Sequence, residues 1–287
     1  MKNIIRDLLE AVIVWLLVFL MTISNLISPL DYIVKDALYQ RPRGVSGDIK
    51  IIGIDERTLE ELGPIGTWSR QYYADLLEIL NADEASKPAV DGFDIIFSGK
   101  VDEAGDEAFA NAAKKSGNVV VASQLIYKEK PEVDADGVKY YPIDTIIYPY
   151  EALRTEVTCA YTNVSQDSDR TVRRVLMKES YAGQEQTMFP QAIYERYCEK
   201  TGETINTIAS DKTGRTLINY SGKPGDYECI SLVDVLQGKI DTRVFKDSIV
   251  LVGAYAAGMQ DNFNVPNGGN QQMYGVEIHA NILQAFM

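Results

Sequence analysis

The sequence predicts an α/β fold: a mostly parallel or mixed central sheet flanked by helices, preceded by one transmembrane helix. Three observations predict it. Short β-branched apolar runs at 49–55, 89–97, 118–123 and 248–253 lack the alternation of half-buried strands, so they suit strands covered on both faces. Helical patterns separate these runs, and the first two are spaced like a single strand–helix–strand crossover. Residues 11–30 carry no charge, enough for a helix of about 30 Å, the thickness of a bilayer core.

Taken in order, the uncharged run reads as an uncleaved membrane helix. The alternative is a signal peptide, but Ser24-Asn25-Leu26 and its neighbours make poor cleavage sites. Lys2 and Arg6 before the run allow a cytoplasmic N-terminus, with Lys35, Arg41 and Arg43 after it weakening the bias. The chain then divides into a stub and span over 1–30 and an extracytoplasmic domain over 31–287. A short helix is expected over 31–40. Glu56–Leu62 follows the first strand and is stopped by Gly63-Pro64. Thr67 or Ser69 opens a helix through Leu80, with Tyr73, Leu76, Leu77 and Leu80 at helical spacing. A surface helix is expected over 102–115. Asp134-Ala135-Asp136-Gly137 lacks the glutamate that would complete a calcium loop and reads as a turn. Strands are expected over 159–164 and 171–178 around an acidic turn, then a helix over 188–200, a strand over 216–220 and a helix over 231–237. Residues 255–274, rich in Gly and Asn, read as a long mobile loop closing over one end of the sheet. The last helix runs from Val276 and has no terminating Gly, Asn or Pro, so the chain is expected to be the front part of a longer protein.

The composition narrows the function. A net charge of -13 without a basic patch argues against nucleic acid as a partner. Three cysteines without paired spacing and one histidine argue against a metal site, and no cofactor is indicated. The absence of a Gly-x-Ser-x-Gly elbow argues against a secreted hydrolase.

Several residues are candidates for ligand binding. Asp55 and Asp94 sit at strand ends, where open sheets form binding crevices; each is equally suited to cap the following segment. Trp68 and Arg70 can build a stacking and anion-reading corner, or a lid over the core with Arg70 tied to Asp55 or Asp94. His279 falls on the apolar face of the last helix with Val276, Ala280 and Leu283, opposite a polar stripe of Glu277, Asn281 and Gln284; a satisfied core histidine and a pH-responsive group both fit. Asp169 belongs to the acidic turn 166–170, either a solvated hairpin with internal ion pairs or a signal-binding element.

The order of motifs resembles a known family. Ile49-Lys-Ile-Ile-Gly-Ile-Asp55, Leu62-Gly63, Trp68-Ser69-Arg70 and Gly92-Phe-Asp-Ile-Ile-Phe97 form its first half. Asp167-Ser-Asp-Arg-Thr-Val-Arg-Arg174 forms the middle. Val250-Leu-Val-Gly253, Asp261, Pro266 and Gly275-Val-Glu-Ile-His-Ala-Asn281 close it. This pattern is similar to the type 2 CHASE domain, an extracellular sensory domain associated with bacterial cyclases and histidine kinases, and the resemblance covers roughly residues 30–287. Two departures stand out. Gly66-Thr67-Trp68-Ser69-Arg70 replaces the usual Trp-Pro-Trp-x-Arg, and Arg170 stands where the Asp-x-Asp-Gly turn has Gly. The resemblance implies a non-catalytic input domain for a small-molecule signal, with Asp261 among its candidate residues, further membrane helices and a cytoplasmic output region after it, and a homodimer in the full-length receptor. A membrane-tethered binding or scaffold protein is the alternative.

Overall fold

The structure is a computed structural model; it describes residues 2–23, 28–40, 42–133, 137 and 139–287. The turn expected at 134–137 falls mostly outside the described residues, as does the cleavage-site alternative at 24–26.

The chain divides into two units, 1–41 and 42–287. In the first, helix α1 spans Lys2–Ile23 and α2 spans Ser28–Tyr39. Arg6 lies near Asp7 and Glu10, 3.7 Å from each, so the first turns of α1 are charged. From Ala11 to Ile23 the helix is wholly uncharged, but that stretch rises only about 20 Å. Among the described residues no helix is long and apolar enough to cross a membrane. The single span expected over 11–30 is thus not carried by one described helix. Val12 to Met21 are all exposed, as are Ile33, Val34 and Leu38 of α2.

The second unit is a three-layer sandwich. Its sheet contains β1 (Ile49–Ile54), β2 (Val90–Asp94), β3 (Val119–Tyr127), β4 (Ile143–Ile147), β5 (Thr158–Tyr161), β6 (Cys229–Ser231) and β7 (Ile249–Ala254). The order is β6-β1-β7-β2-β3, and β3 then pairs with β5 in parallel and with β4 in antiparallel fashion. The sheet is mixed, with only β4 antiparallel. One face carries α3 (Glu56–Leu62), α4 (Gln71–Leu80), α5 (Glu103–Ser116), α6 (Glu151–Arg154) and α8 (Leu232–Leu236). The other carries α7 (Phe189–Thr201) and α9 (Gly275–Phe286). Each core strand splits its residues between the two faces: Ile51 and Leu251 pack under α7 and α9, while Ile52 and Val252 pack under α4 and α8.

β1 and β2 do not pair with each other. The late strand β7 inserts between them, in register at Gly53–Gly253–Asp94. The centre of the sheet therefore needs a strand from the end of the chain, and all of β7 is buried. The expected strand over 171–178 is broken in the structure. Arg174–Leu176 pairs with Arg215–Leu217, and Lys178–Tyr181 turns back on Gln184–Thr187.

The segment 255–274 differs from the featureless loop that its composition predicts. Asn262–Phe263 pairs with Met273–Tyr274, Thr171 bridges to Asn264, and Val265 and Met273 are buried in the core. Two well-placed apolar side chains anchor a sequence whose glycines hide them from a periodicity argument. The cysteines Cys159, Cys198 and Cys229 are free.

Candidate functional site

The strand ends place the candidates at the carboxyl edge of the sheet, but on opposite faces. Asp55 caps α3: its carboxylate accepts from the Thr58 backbone N–H at 2.9 Å, the Thr58 hydroxyl at 2.6 Å and the Ser231 hydroxyl at 2.8 Å. These partners tie the end of β1 to the end of β6.

Trp68 and Arg70 belong to the α4–α5 face. Trp68 is buried and donates its indole N–H to the Gly63 carbonyl at 2.8 Å, so it seals the turn after α3. Arg70 is also buried. It pairs with Asp106 of α5 at 2.7 Å, donates to the carbonyls of Ser98 and Gly99, and lies 4.1 Å over the Tyr150 ring. The Tyr150 hydroxyl donates to the Asp106 carbonyl at 2.7 Å. The partner of Arg70 is thus Asp106, not Asp55 or Asp94. Sequence reasoning missed Asp106 because it lies one helix away and its contact is set by how α4 meets α5.

Asp169 closes the acidic turn onto Arg173. Two hydrogen bonds of 2.8 Å join the carboxylate to the guanidinium, with Asp167 adding a third at 3.2 Å. The Arg173 hydrogen bonds, foremost, hold the Asp169 carboxyl below its usual range. Arg173 is buried while Ser168, Asp169 and Arg170 are exposed, so the turn is a solvent-facing hairpin with internal ion pairs clamped on one buried guanidinium. Arg170, in the place where the family usually has Gly, adopts a left-handed φ of 62°.

Asp94 ends β2 on the other face, under α9. There the structure brings together three residues that are far apart in sequence: Asp94, Asp261 and His279. His279 Nε2 lies 3.7 Å from Asp94 Oδ1, too long for a hydrogen bond. The His279 side chain is 3 % exposed and that of Asp94 9 %. The edge of the imidazole meets Phe189 of α7, with ring centroids 5.4 Å apart. Asp261 is partly buried and lies against Gly275, where a Cβ would come within 2.5 Å of its carboxylate. The approach is close enough to require glycine at the first position of α9. Gly253 of β7 serves the same end: a Cβ there would lie 2.9 Å from Val276 and 3.3 Å from the Cβ of Asp94. Two glycines therefore let α9 and two carboxylates converge on the sheet.

The electrostatics of this group are unusual. Burial pushes the Asp94 carboxyl up to about 7. Burial, reinforced by the nearby Asp94 and opposed by His279, pushes Asp261 up to about 6. Burial lowers His279 to about 4, with Asp261 acting against it. The imidazole is then neutral near pH 7 while Asp94 is close to half-protonated. His279 Nδ1 has no hydrogen-bond partner among the described residues.

In the polar stripe of α9, Glu277 and Asn281 are buried and Gln284 is partly buried. Glu277 accepts from the backbone N–H of Gly225 at 2.8 Å and of Tyr274 at 3.2 Å. Asn281 accepts from Gly222 N–H at 2.9 Å, and Gln284 accepts from the Tyr227 hydroxyl at 2.8 Å. A helix wheel cannot distinguish solvent from a polar loop laid over the stripe.

Clefts of ligand size lie elsewhere. One of about 400 Å³ is lined by Asp48, Tyr194, Tyr197 and Glu203 at the amino edge of the sheet. Another of about 300 Å³ lies beside Asp106, Tyr150 and Glu107. No group of His, Cys, Asp and Glu among the described residues can hold a metal ion.

Five of the seven positions of the closing motif have a structural task at this site: Gly275 admits Asp261, Val276 seats on Gly253, Glu277 and Asn281 pin the 222–225 turn, and His279 faces Asp94. No curated protein and no solved structure matches the chain. The CHASE2 domain model matches residues 12–287, essentially the whole sequence, and the chain belongs to the CHASE2 family, a family of sensory domains found in receptor proteins.

Proposed function

We propose that this chain is the extracytoplasmic input domain of a membrane-bound signalling receptor, with α1 as part of its membrane attachment and a cyclase or histidine kinase as its output. In this reading the signal acts at the carboxyl edge of the sheet, and α9 carries its effect out of the domain. The observation that supports it is the Asp94–Asp261–His279 group. Two carboxyl groups and an imidazole gather here with no cation beside them among the described residues, a backbone hydrogen bond from Gly275 to Asp261 and none at His279 Nδ1, and such sites are retained for function more often than for stability. Their position beneath the first turn of α9 couples any change in the group to the seating of a helix, and packed helices shift as discrete units.

The test is a chimera in which the whole chain is joined through α9 to a cyclase or kinase reporter. Asp94→Asn is expected to change output at an unchanged level of folded protein. Output identical to wild type in both Asp94→Asn and His279→Asn would sink the reading and favour a tethered binding protein. A topology reporter placed after residue 45 should read outside; a cytoplasmic signal would refute the orientation.

A further inference from the structure

The group beneath α9 has the properties of a binding site, but for a very small ligand. Four clefts of about 230–410 Å³ among the described residues are lined by other residues. His279 is covered by Phe189 on one side, and Val276 beside it presses on Gly253. The group also has a graded path to water: Asp261 is partly buried, Asp94 is 9 % exposed and His279 3 %.

We propose that the proton is the signal this domain reads, taken up by the Asp94–Asp261–His279 group in mildly acidic surroundings and released near neutrality, with α9 reseating on the sheet as it leaves. The inference rests on the sensory reading above and names its ligand.

The charged and titratable groups around the site are few. From β2 comes Asp94, from the 255–274 segment Asp261, from α9 His279. The neighbouring acid of α9, Glu277, is turned toward Gly225, Tyr274 and the Tyr255 hydroxyl. From α7 comes Phe189 and from β7 Gly253, neither of which titrates. The charges acting on Asp261 are those of Asp94 and His279, and the one acting on His279 is that of Asp261. With Asp94 protonated, the group holds at most one negative charge and the helix lies flat on Gly253. When Asp94 releases its proton to water, the site holds two carboxylates whose charges act on one another, beside a neutral imidazole. Like charges in a covered site repel. The relief available is separation or hydration, and both require α9 to lift from the Gly253–Asp94 register.

The step is a proton exchange with solvent and needs no co-reactant. It also accounts for the lack of a neutralising cation at the site among the described residues: a lysine or arginine here would hold both acids ionised throughout and remove the response.

The experiment uses the full 287-residue chain and the chimeric reporter. Hydrogen exchange of α9 peptides is followed from about pH 5 to about pH 8, corrected for the intrinsic pH dependence of exchange, alongside the carbon-13 shift of the Asp94 carboxyl. Protection of α9 is expected to fall roughly tenfold with a midpoint near neutrality, coincident with the titration of Asp94. Asp94→Asn should abolish the midpoint. Asp261→Asn, a milder change at a partly exposed position, should move it to lower pH by removing the other negative charge. An α9 profile that is flat with pH, or unchanged by both variants, overturns the proposal. If the reporter answers another stimulus but not pH, the proton is not the signal and the sensory reading stands. If a folded chimera answers nothing, the sensory reading falls and the proposal falls with it.

Discussion

Two buried charged clusters flank the same sheet, and they are built on opposite terms. On the α4–α5 face, Arg70 has an ion pair, two carbonyl acceptors and an aromatic ring, and its partner Asp106 accepts a further bond from the Val101 N–H at 3.1 Å. On the α9 face, Asp94 has an imidazole at a distance beyond hydrogen bonding and a second acid nearby. The first cluster satisfies its charges with fixed geometry and leaves nothing to change. The second leaves its protonation state as the free variable. Burial alone therefore does not identify a functional site; the state of the partners does.

The largest expected effect tests the first half of that contrast. Arg70→Met removes one member of a buried pair and strands Asp106, which should cost roughly 3–5 kcal/mol in urea unfolding. The double variant Arg70→Met, Asp106→Leu should recover much of this loss, since neither charge then remains. Equal losses in the single and double variants would mean that packing, not charge compensation, holds this face.

The second half of the contrast is tested by pH. The Asp94 carboxyl is raised in the folded state, so below about pH 4 both states hold its proton and it contributes no pH dependence. Between about 4 and 7 the unfolded chain releases the proton and the folded chain keeps it, so stability falls as pH rises, by up to roughly 4 kcal/mol. Asp261 acts in the same direction up to about pH 6. His279 acts oppositely: its lowered value means that stability falls as pH drops from about 6.5 toward 4. Asp94→Asn should remove the acid slope, leaving the variant close to wild type near pH 4 and more stable by a few kcal/mol near pH 8. A urea midpoint that falls equally at every pH would show instead that Asp94 is needed for packing.

A smaller effect probes the seat of the helix. Gly253→Ala places a Cβ against Val276 and the Cβ of Asp94, and overpacking of this kind costs about 1–3 kcal/mol. If α9 responds to Asp94 as a unit, this variant should also loosen exchange protection along α9 at low pH. Lost stability with unchanged protection would confine the damage to β7.

Much of this fold was legible in the sequence, for identifiable reasons. β1, β3 and β7 announced themselves because a strand covered on both faces is mostly apolar along its run, and β2 did so beside its apolar flank 95–97 despite the buried Asp91. Helices α4, α5 and α7 showed their periodicity. β6 did not, because Cys229–Ser231 is too short to carry a pattern and its place is assigned by pairing with β1. The wheel of α9 placed His279 on the apolar face, which is buried, but it left open what covers the polar stripe, and the 222–225 turn lies over Glu277 and Asn281. Of the site, the sequence marked Asp94, Asp261 and His279 one by one. It grouped Asp94 with Trp68 and Arg70, which the sheet separates onto its other face. Contacts between residues far apart in sequence leave no local signal, and a one-residue alternation decides the face.

The smallest effect is expected at the acidic turn, where a third charged cluster falls on the compensated side of the contrast. Arg173 is clamped by Asp167 and Asp169, and the turn that presents them passes through Arg170 at φ 62°. The left-handed region costs a non-glycine residue about 1–2 kcal/mol, while glycine gives back about 0.5–1 kcal/mol through its freer unfolded chain. Arg170→Gly, which restores the residue the family usually has there, should thus stabilise by less than about 1 kcal/mol. The Arg170 carbonyl and side chain make no part of the Arg173 clamp, and the backbone bond from Arg170 N–H to the Asp167 carbonyl at 2.8 Å is open to glycine too. Signalling by the chimera should therefore be unchanged. A shift in its pH response on Arg170→Gly would mean that this turn, which reaches the 255–274 segment through the Thr171–Asn264 bridge, biases Asp261 from a distance, and the division between fixed and variable clusters would have to be redrawn.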